Sequence, residues 1–172
     1  MAKNDKTVFV TVGSTGFDQV ISLLTSSPSL QILKSLGYTK LNIQYGKSRE
    51  TYNEAMKICN IPNEIQIIGY DYKTSLDQDM SESDLIISHA GSGSILESLR
   101  LNKPLIVVIN ENLMNNHQAE LAVELGNKGY LVYSSTSNLL EILKSKAYEN
   151  LISFPEPDAT IFTNILNEEM GV

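Results

Sequence analysis

The stretch from Ser88 to Glu97 reads Ser-His-Ala-Gly-Ser-Gly-Ser-Ile-Leu-Glu. It follows a strand-like run, Asp84 to Ser88, and opens a helical pattern from about Ser94 to Leu101. Gly91 and Gly93 allow a tight turn and close approach of backbone to a ligand. Ser92, Gly93 and Ser94 would then present free N–H groups at a helix start, a setting that suits a diphosphate. Glu97 has two readings. Ser94 to Glu97 fits a capping box, in which Glu97 satisfies an orphan N–H, and spacing alone favours this. In the other, its carboxylate accepts hydrogen bonds from ribose hydroxyls.

Two further loops have the same character. Gly13-Ser14-Thr15-Gly16 follows the run Thr7 to Val12. It reads as a ligand loop or as a plain turn with Ser14 or Thr15 capping the next helix. Asn116, His117 and Gln118 open a third helical pattern. Asn116 can cap it, and His117 and Gln118 offer donors for phosphate or sugar hydroxyls. An exposed polar first turn explains them equally well. His89 and His117 are the only histidines. His89 is the local candidate for a general base, or a structural donor that fixes its loop.

Other chemistries find little support. With two histidines and one cysteine, a zinc site is not expected. Asp77-Gln78-Asp79 resembles an acidic metal-binding triplet, but in a helix positions i and i+2 do not share a face, so a solvated surface is expected. No Walker sequence or nucleophile elbow occurs.

The elements that must hold these loops alternate along the chain. Strands are expected at Thr7–Val12, Lys40–Tyr45, Glu64–Ile68 with Gly69 closing, Asp84–Ser88, Pro104–Ile109 and Tyr130–Val132. Helices are expected at Phe17–Leu24 and Ser29–Leu36, separated by Pro28. Others are expected at Thr51–Cys59, Leu76–Glu82, Ser94–Leu101, Asn116–Lys128 with Gly129 as its stop, Leu139–Lys144 and Ala159–Glu169. Strand-helix alternation implies an α/β, Rossmann-like, doubly wound parallel sheet over a single domain, residues 1–172. Ligands of such sheets sit at the carboxyl ends of strands, where the three loops lie.

Composition narrows the partners. The chain has 172 residues, a formal net charge of −7 and a pI near 4.8. Nucleic-acid binding wants a basic stripe, and none is present. An anionic ligand would need a local positive spot, which helix N-termini supply without a metal or cofactor. Cys59 stands alone, so no internal disulfide is expected and a reducing compartment fits; it reads as a small core residue. The polar start, Met1 to Lys6, has no signal-peptide pattern, and the apolar run Pro104–Ile109 is too short to span a bilayer. The Lys144 and Lys146 pair is too small a basic patch for membrane binding.

Taken together, Ser88–Ser94, Leu99-Arg100-Leu101-Asn102-Lys103-Pro104-Leu105-Ile106-Val107 and Asn115-Asn116-His117-Gln118 resemble one family. Phe9–Thr15 and Leu41–Gly46 fit its N-terminal part. It is the catalytic subunit of the two-component UDP-N-acetylglucosamine transferase of the dolichol-linked oligosaccharide pathway, of the glycosyltransferase family 28 C-terminal-domain type. The resemblance implies the C-terminal half of a GT-B glycosyltransferase. It implies transfer of N-acetylglucosamine from UDP-N-acetylglucosamine to dolichyl-diphosphate-N-acetylglucosamine, with inversion. It places the chain in the cytoplasm and on the cytosolic face of the endoplasmic reticulum, held by a membrane-anchored partner subunit that supplies the acceptor-binding half. The 159–169 helix is expected at that interface. A non-catalytic nucleotide-sugar-binding or regulatory subunit is the alternative.

By matched position, Gly91, Ser92, Gly93 and Ser94 fall on the diphosphate loop and Glu97 on the ribose. Gly13, Ser14 and Thr15 match the family's first loop. Tyr70 and Asp71 fall near the uracil-binding strand end, where backbone groups would do the reading. Asn116, His117 and Gln118 fall on the sugar-binding segment. The general base does not carry over, because fused relatives hold it in the other half; His89 remains the local candidate.

Overall fold

The computed structural model describes residues 5–60, 62–111 and 117–156. The expected helix over 159–169 and Asn116 lie outside the described residues, as do the side chains of His117 and Gln118.

Among the described residues, six parallel strands form one sheet. They are β1 (Lys6–Thr11), β2 (Tyr38–Gln44), β3 (Gln66–Tyr70), β4 (Leu85–His89), β5 (Leu105–Ile109) and β6 (Val132–Ser135). Their order is β3-β2-β1-β4-β5-β6. Strand order therefore reverses between β1 and β4, where a crevice opens outside the carboxyl ends. The registers Val8 to Leu85 and Thr11 to Ser88 bring the loops after these two strands side by side.

The helices are α1 (Asp18–Leu24), α2 (Ser27–Ser35), α3 (Arg49–Ile58), α4 (Asp77–Ser81), α5 (Ser92–Arg100), α6 (His117–Asn127) and α7 (Leu139–Ser145). Strand residues alternate between two apolar layers, as a pleat buried on both faces requires. Val8, Val10, Leu41, Ile43, Ile87 and Ile106 face Ile21, Leu24, Leu33 and Leu143 of α1, α2 and α7. Phe9, Ile86, Leu105 and Val107 face Ile95, Leu99, Ala122 and Leu125 of α5 and α6. Fully burying one such side chain is worth roughly 1.5–3 kcal/mol. The two layers make the sheet a rigid base for its loops.

Four expected boundaries move, each for a local reason. Pro28 does not separate two helices; it lies in the first turn of α2, where its missing N–H has no helical partner to lose. Gly69 does not close the third strand but lies inside β3, where a Cβ would come within 2.2 Å of the Tyr52 ring. The helix after β4 begins at Ser92 instead of Ser94. The sixth strand starts at Val132 instead of Tyr130, because Tyr130 belongs to the end of α6. The Tyr130 N–H donates to the Leu125 carbonyl at 3.1 Å and the Gly129 N–H to that of Gly126 at 2.9 Å, with Gly129 at φ +81°. That is a Schellman closure, and it uses up the residues that resemble a strand.

Candidate active site at the strand-order reversal

His89 ends β4 with its ring between two backbones. A Cβ at Gly13 would stand 2.8 Å from its Cε1, and one at Gly91 would stand 2.4 Å from its Nε2. Gly13 also has φ +65°, so its lack of a side chain serves both conformation and contact. The β1–α1 and β4–α5 loops thus close on the imidazole from two sides. Nδ1 lies 3.4 Å from the Thr11 carbonyl. Burial pushes the His89 pKa down, against a smaller upward pull from that carbonyl, which favours the neutral ring.

Below the first loop, the Thr11 hydroxyl donates to Gln44 Oε1 at 2.6 Å, and both residues are buried. The Gly13 N–H donates to Thr11 Oγ1 at 3.3 Å. Ser48, from the β2–α3 loop, accepts the Phe17 N–H at 2.8 Å. Phe17 is the residue before α1, so neither Ser14 nor Thr15 is its cap; both are exposed on the turn. Thr11, Gln44 and Ser48 are supports that sequence patterning missed. Their partners are 31 to 33 residues away, beyond any local motif.

The start of α5 differs. Gly91 is the N-cap residue, no side chain caps the helix, and the first helical bond runs from the Ile95 N–H to the Gly91 carbonyl at 3.1 Å. The amides of Ser92, Gly93 and Ser94 are the orphan donors of this first turn. A Cβ at Gly93 would meet nothing within 4 Å, so the helix surface at Gly93 is open. The capping-box reading of Glu97 fails, because a box needs the acid at the third helical position and Ser94 occupies it. Glu97 is exposed and its carboxylate, among the described residues, makes no hydrogen bond or ion pair. It lies four residues after Gly93, on the same helix face and about 6 Å further along the axis.

Tyr70 and Asp71 lie at the far end of this edge. β3 is three strand positions from β4, a separation of about 14 Å at normal strand spacing. The Tyr70 carbonyl accepts the Tyr45 N–H at 2.9 Å, and the Asp71 carbonyl accepts the Gly46 N–H at 3.2 Å. One lone pair of each is therefore taken. The Asp71 carboxylate pairs with Arg49; the Tyr72 amide first, then that guanidinium, hold its pKa below the usual range. The Tyr70 hydroxyl donates to Asp79 at 2.6 Å, and Lys73 reaches the same carboxylate at 2.7 Å. Asp79 is thus not part of a solvated acidic surface, as its triplet suggested, whereas Asp77 is exposed and bonds Ser75. Among the described residues no group of three His, Cys, Asp or Glu is placed to hold a metal ion. Cys59 is half-buried against the α1–α2 layer, with its thiol 2.9 Å from the Thr25 carbonyl.

His117 and Gln118 begin α6, just beyond β5 and therefore at the same edge of the sheet. The site thus has a centre, the two glycine loops on His89, and an outlying strand end at Tyr70. The α5 face joins them, since Tyr70 and Leu76 pack against the same apolar layer as Ile95 and Leu99.

Residues 7–163 match the glycosyltransferase family 28 C-terminal domain. The chain is 48% identical over 131 residues to the human UDP-N-acetylglucosamine transferase subunit ALG13. That match takes in 74% of this chain and 11% of the human protein. The mouse counterpart is likewise much longer, with 10% of it covered. The subunit of the same name from Saccharomyces cerevisiae is 34% identical, with 95% of this chain and 96% of the relative covered. An NMR structure of ALG13 superposes with TM-score 0.71 at 31% identity, covering 98% of each chain. MurG of Acinetobacter baumannii gives TM-score 0.67 at 19% identity, with 99% of this chain lying on 51% of MurG; this likeness concerns the fold alone. By the extent of the family match, with the strand order and loops that accompany it, the chain belongs to the glycosyltransferase family 28 C-terminal domain family.

Proposed function

We propose that this chain is the donor-binding, catalytic subunit of a UDP-N-acetylglucosamine transferase. The observation that carries the reading is the open start of α5, with Gly93 and Glu97 on one face a turn apart, at the point where strand order reverses. In this reading the UDP diphosphate lies on the amides of Ser92, Gly93 and Ser94. Glu97 takes the ribose hydroxyls, and the uracil extends toward the ends of β2 and β3, near Tyr70 and Asp71. The sugar points toward the first turn of α6 and the Gly13–Thr15 loop. The names of the similar proteins, UDP-N-acetylglucosamine transferase subunits, support the choice of sugar and of a multi-subunit enzyme.

The acceptor is dolichyl-diphosphate-N-acetylglucosamine, and its sugar hydroxyl attacks the anomeric carbon from the face opposite UDP. The new carbon–oxygen bond forms as the bond to the β-phosphate oxygen breaks. The electron pair leaves on UDP, the configuration inverts, and the hydroxyl proton passes to a base. The α5 amides meet the charge that grows on the departing phosphate, an interaction strongest in the transition state. His89 is held neutral beneath the loops, in the protonation state that can accept a proton. Its contacts with Gly13 and Gly91 equally suit a wedge, and a base from the other subunit completes the site in that case. No described helix is long and apolar enough to cross a membrane, which accords with a membrane-anchored partner at the cytosolic face of the endoplasmic reticulum.

Transfer of labelled N-acetylglucosamine to lipid acceptor in membranes, with and without a candidate partner, tests the division of labour. Transfer is expected only with both. In the reconstituted complex, Glu97→Ala should raise the KM for UDP-N-acetylglucosamine by tenfold or more. Wild-type kinetics from that variant would remove the ribose role and turn the reading toward a regulatory subunit.

A further inference from the structure

The ligand edge continues past the glycine loops onto the α1 face of the sheet. There a cavity of about 320 Å3 opens between the β1–α1 and β2–α3 loops. Thr15, Asp18, Gln19 and Lys47 line it with polar groups, and Asn110 borders it from the end of β5. Its volume is at the small end for ligand sites, enough for a monosaccharide with phosphate but cramped for a whole nucleotide sugar.

Lys47 is unusual in its surroundings. The neighbouring cations at the carboxyl end of the sheet are taken, Arg49 by Asp71 and Lys73 by Asp79. Lys47 is exposed and, among the described residues, has no carboxylate partner. In a chain of net charge −7, a free ammonium beside a polar cavity at the ligand edge is a place for a phosphate. The diphosphate assigned to α5 lies on the other face, across the Gly13–Gly16 loop. Two diphosphates so close would repel each other, and a cation on the second side offsets that repulsion.

Resting on the function proposed above, we infer that this cavity holds the head group of the lipid-diphosphate sugar acceptor. The acceptor's site is then shared, not left wholly to the partner subunit. The Lys47 ammonium binds the acceptor diphosphate. Asp18 repels phosphate and so faces the sugar end, where it and Gln19 and Thr15 hydrogen-bond hydroxyls. The lipid tail leaves toward solvent and the membrane.

Steady-state kinetics on the reconstituted complex test this, with a short-chain polyprenyl-diphosphate-N-acetylglucosamine as acceptor. Lys47→Ala should raise the acceptor KM about tenfold and leave the KM for UDP-N-acetylglucosamine within twofold, and Lys47→Arg should recover most of the loss. A rise in donor KM alone, or no change in either, overturns the assignment. Should the wild-type complex move no sugar, the functional reading fails on its own. The cavity is then judged by NMR titration of the full chain with N-acetylglucosamine diphosphate. Shifts at Thr15–Gln19 and Lys47 that persist beside saturating UDP and vanish in Lys47→Ala support it; their absence overturns it.

Discussion

The β1–α1 and β4–α5 loops look alike in sequence, each a Gly/Ser turn between a buried strand and a helix. Neither helix has a side-chain cap, and the two differ in what braces the turn before it. Before α1, the Phe17 N–H is occupied by Ser48, and the Gly13 N–H by Thr11. Before α5, the Gly91 N–H turns back onto the His89 carbonyl at 2.8 Å within its own loop, and the position over Gly93 is vacant. One loop is a platform braced by Thr11 and Ser48 side chains. The other is the receptor of the function proposed above, with the first-turn amides of α5 left for the ligand. A Gly/Ser signature thus marks the location of a ligand edge without saying which loop holds the ligand.

The largest expected effect separates the two directly. Gly93→Ala should fold normally, since the added methyl meets nothing and alanine suits a helix better than glycine by up to about 1 kcal/mol. In the proposed function the same methyl stands in the place of the diphosphate, and kcat/KM should then fall on the order of 100-fold, as for loss of a main charge-stabilising contact. Full activity with an unchanged melting temperature would show that α5 is not the receptor. Gly13→Ala should do the reverse and cost stability first. Its φ of +65° and the approach to His89 suggest a loss of about 2 kcal/mol in urea unfolding. Ser48→Ala leaves the buried Phe17 N–H without an acceptor. A loss of about 1–2 kcal/mol is expected, with donor KM little changed; a donor-binding defect larger than the stability loss would blur the platform and receptor distinction.

The smallest effect is one of pH. The folded-state pKa of His89 is depressed below its unfolded value, near 6.5, so the unfolded chain takes up the proton first. The stability due to the neutral ring is complete above about pH 6.5 and is lost as pH falls from there through the lower folded-state value. Thermal unfolding of wild type should show this slope, and His89→Asn should flatten it. An unchanged slope in the variant would show that the ring between the loops is not what titrates.

Much of the fold is legible in the amino-acid sequence. The strand runs Leu85-Ile86-Ile87 and Leu105-Ile106-Val107-Val108 are apolar throughout because both faces are covered, and continuous runs of that length are hard to read otherwise. The errors came from residues with two uses. Tyr130 looks like strand but closes a helix, and Gly69 looks like a strand end but makes room for a ring. The supports Thr11, Gln44 and Ser48 carry no local signature, since the Thr11–Gln44 bond joins two strands and the Phe17–Ser48 bond two loops, each more than 30 residues apart. The Glu97 question was settled against the cap by a two-residue shift in where α5 begins.

The fold class, the edge of the sheet where ligands would sit, and the family are written in the amino-acid order alone, because periodicity and glycine spacing are local properties of the chain. Long-range packing sets how each glycine loop is braced, leaves the Glu97 carboxylate unpaired and seats His89 between two backbones. Those depend on partners 30 to 80 residues apart, and side chains that distant meet only when β1, β2 and β4 lie next to one another.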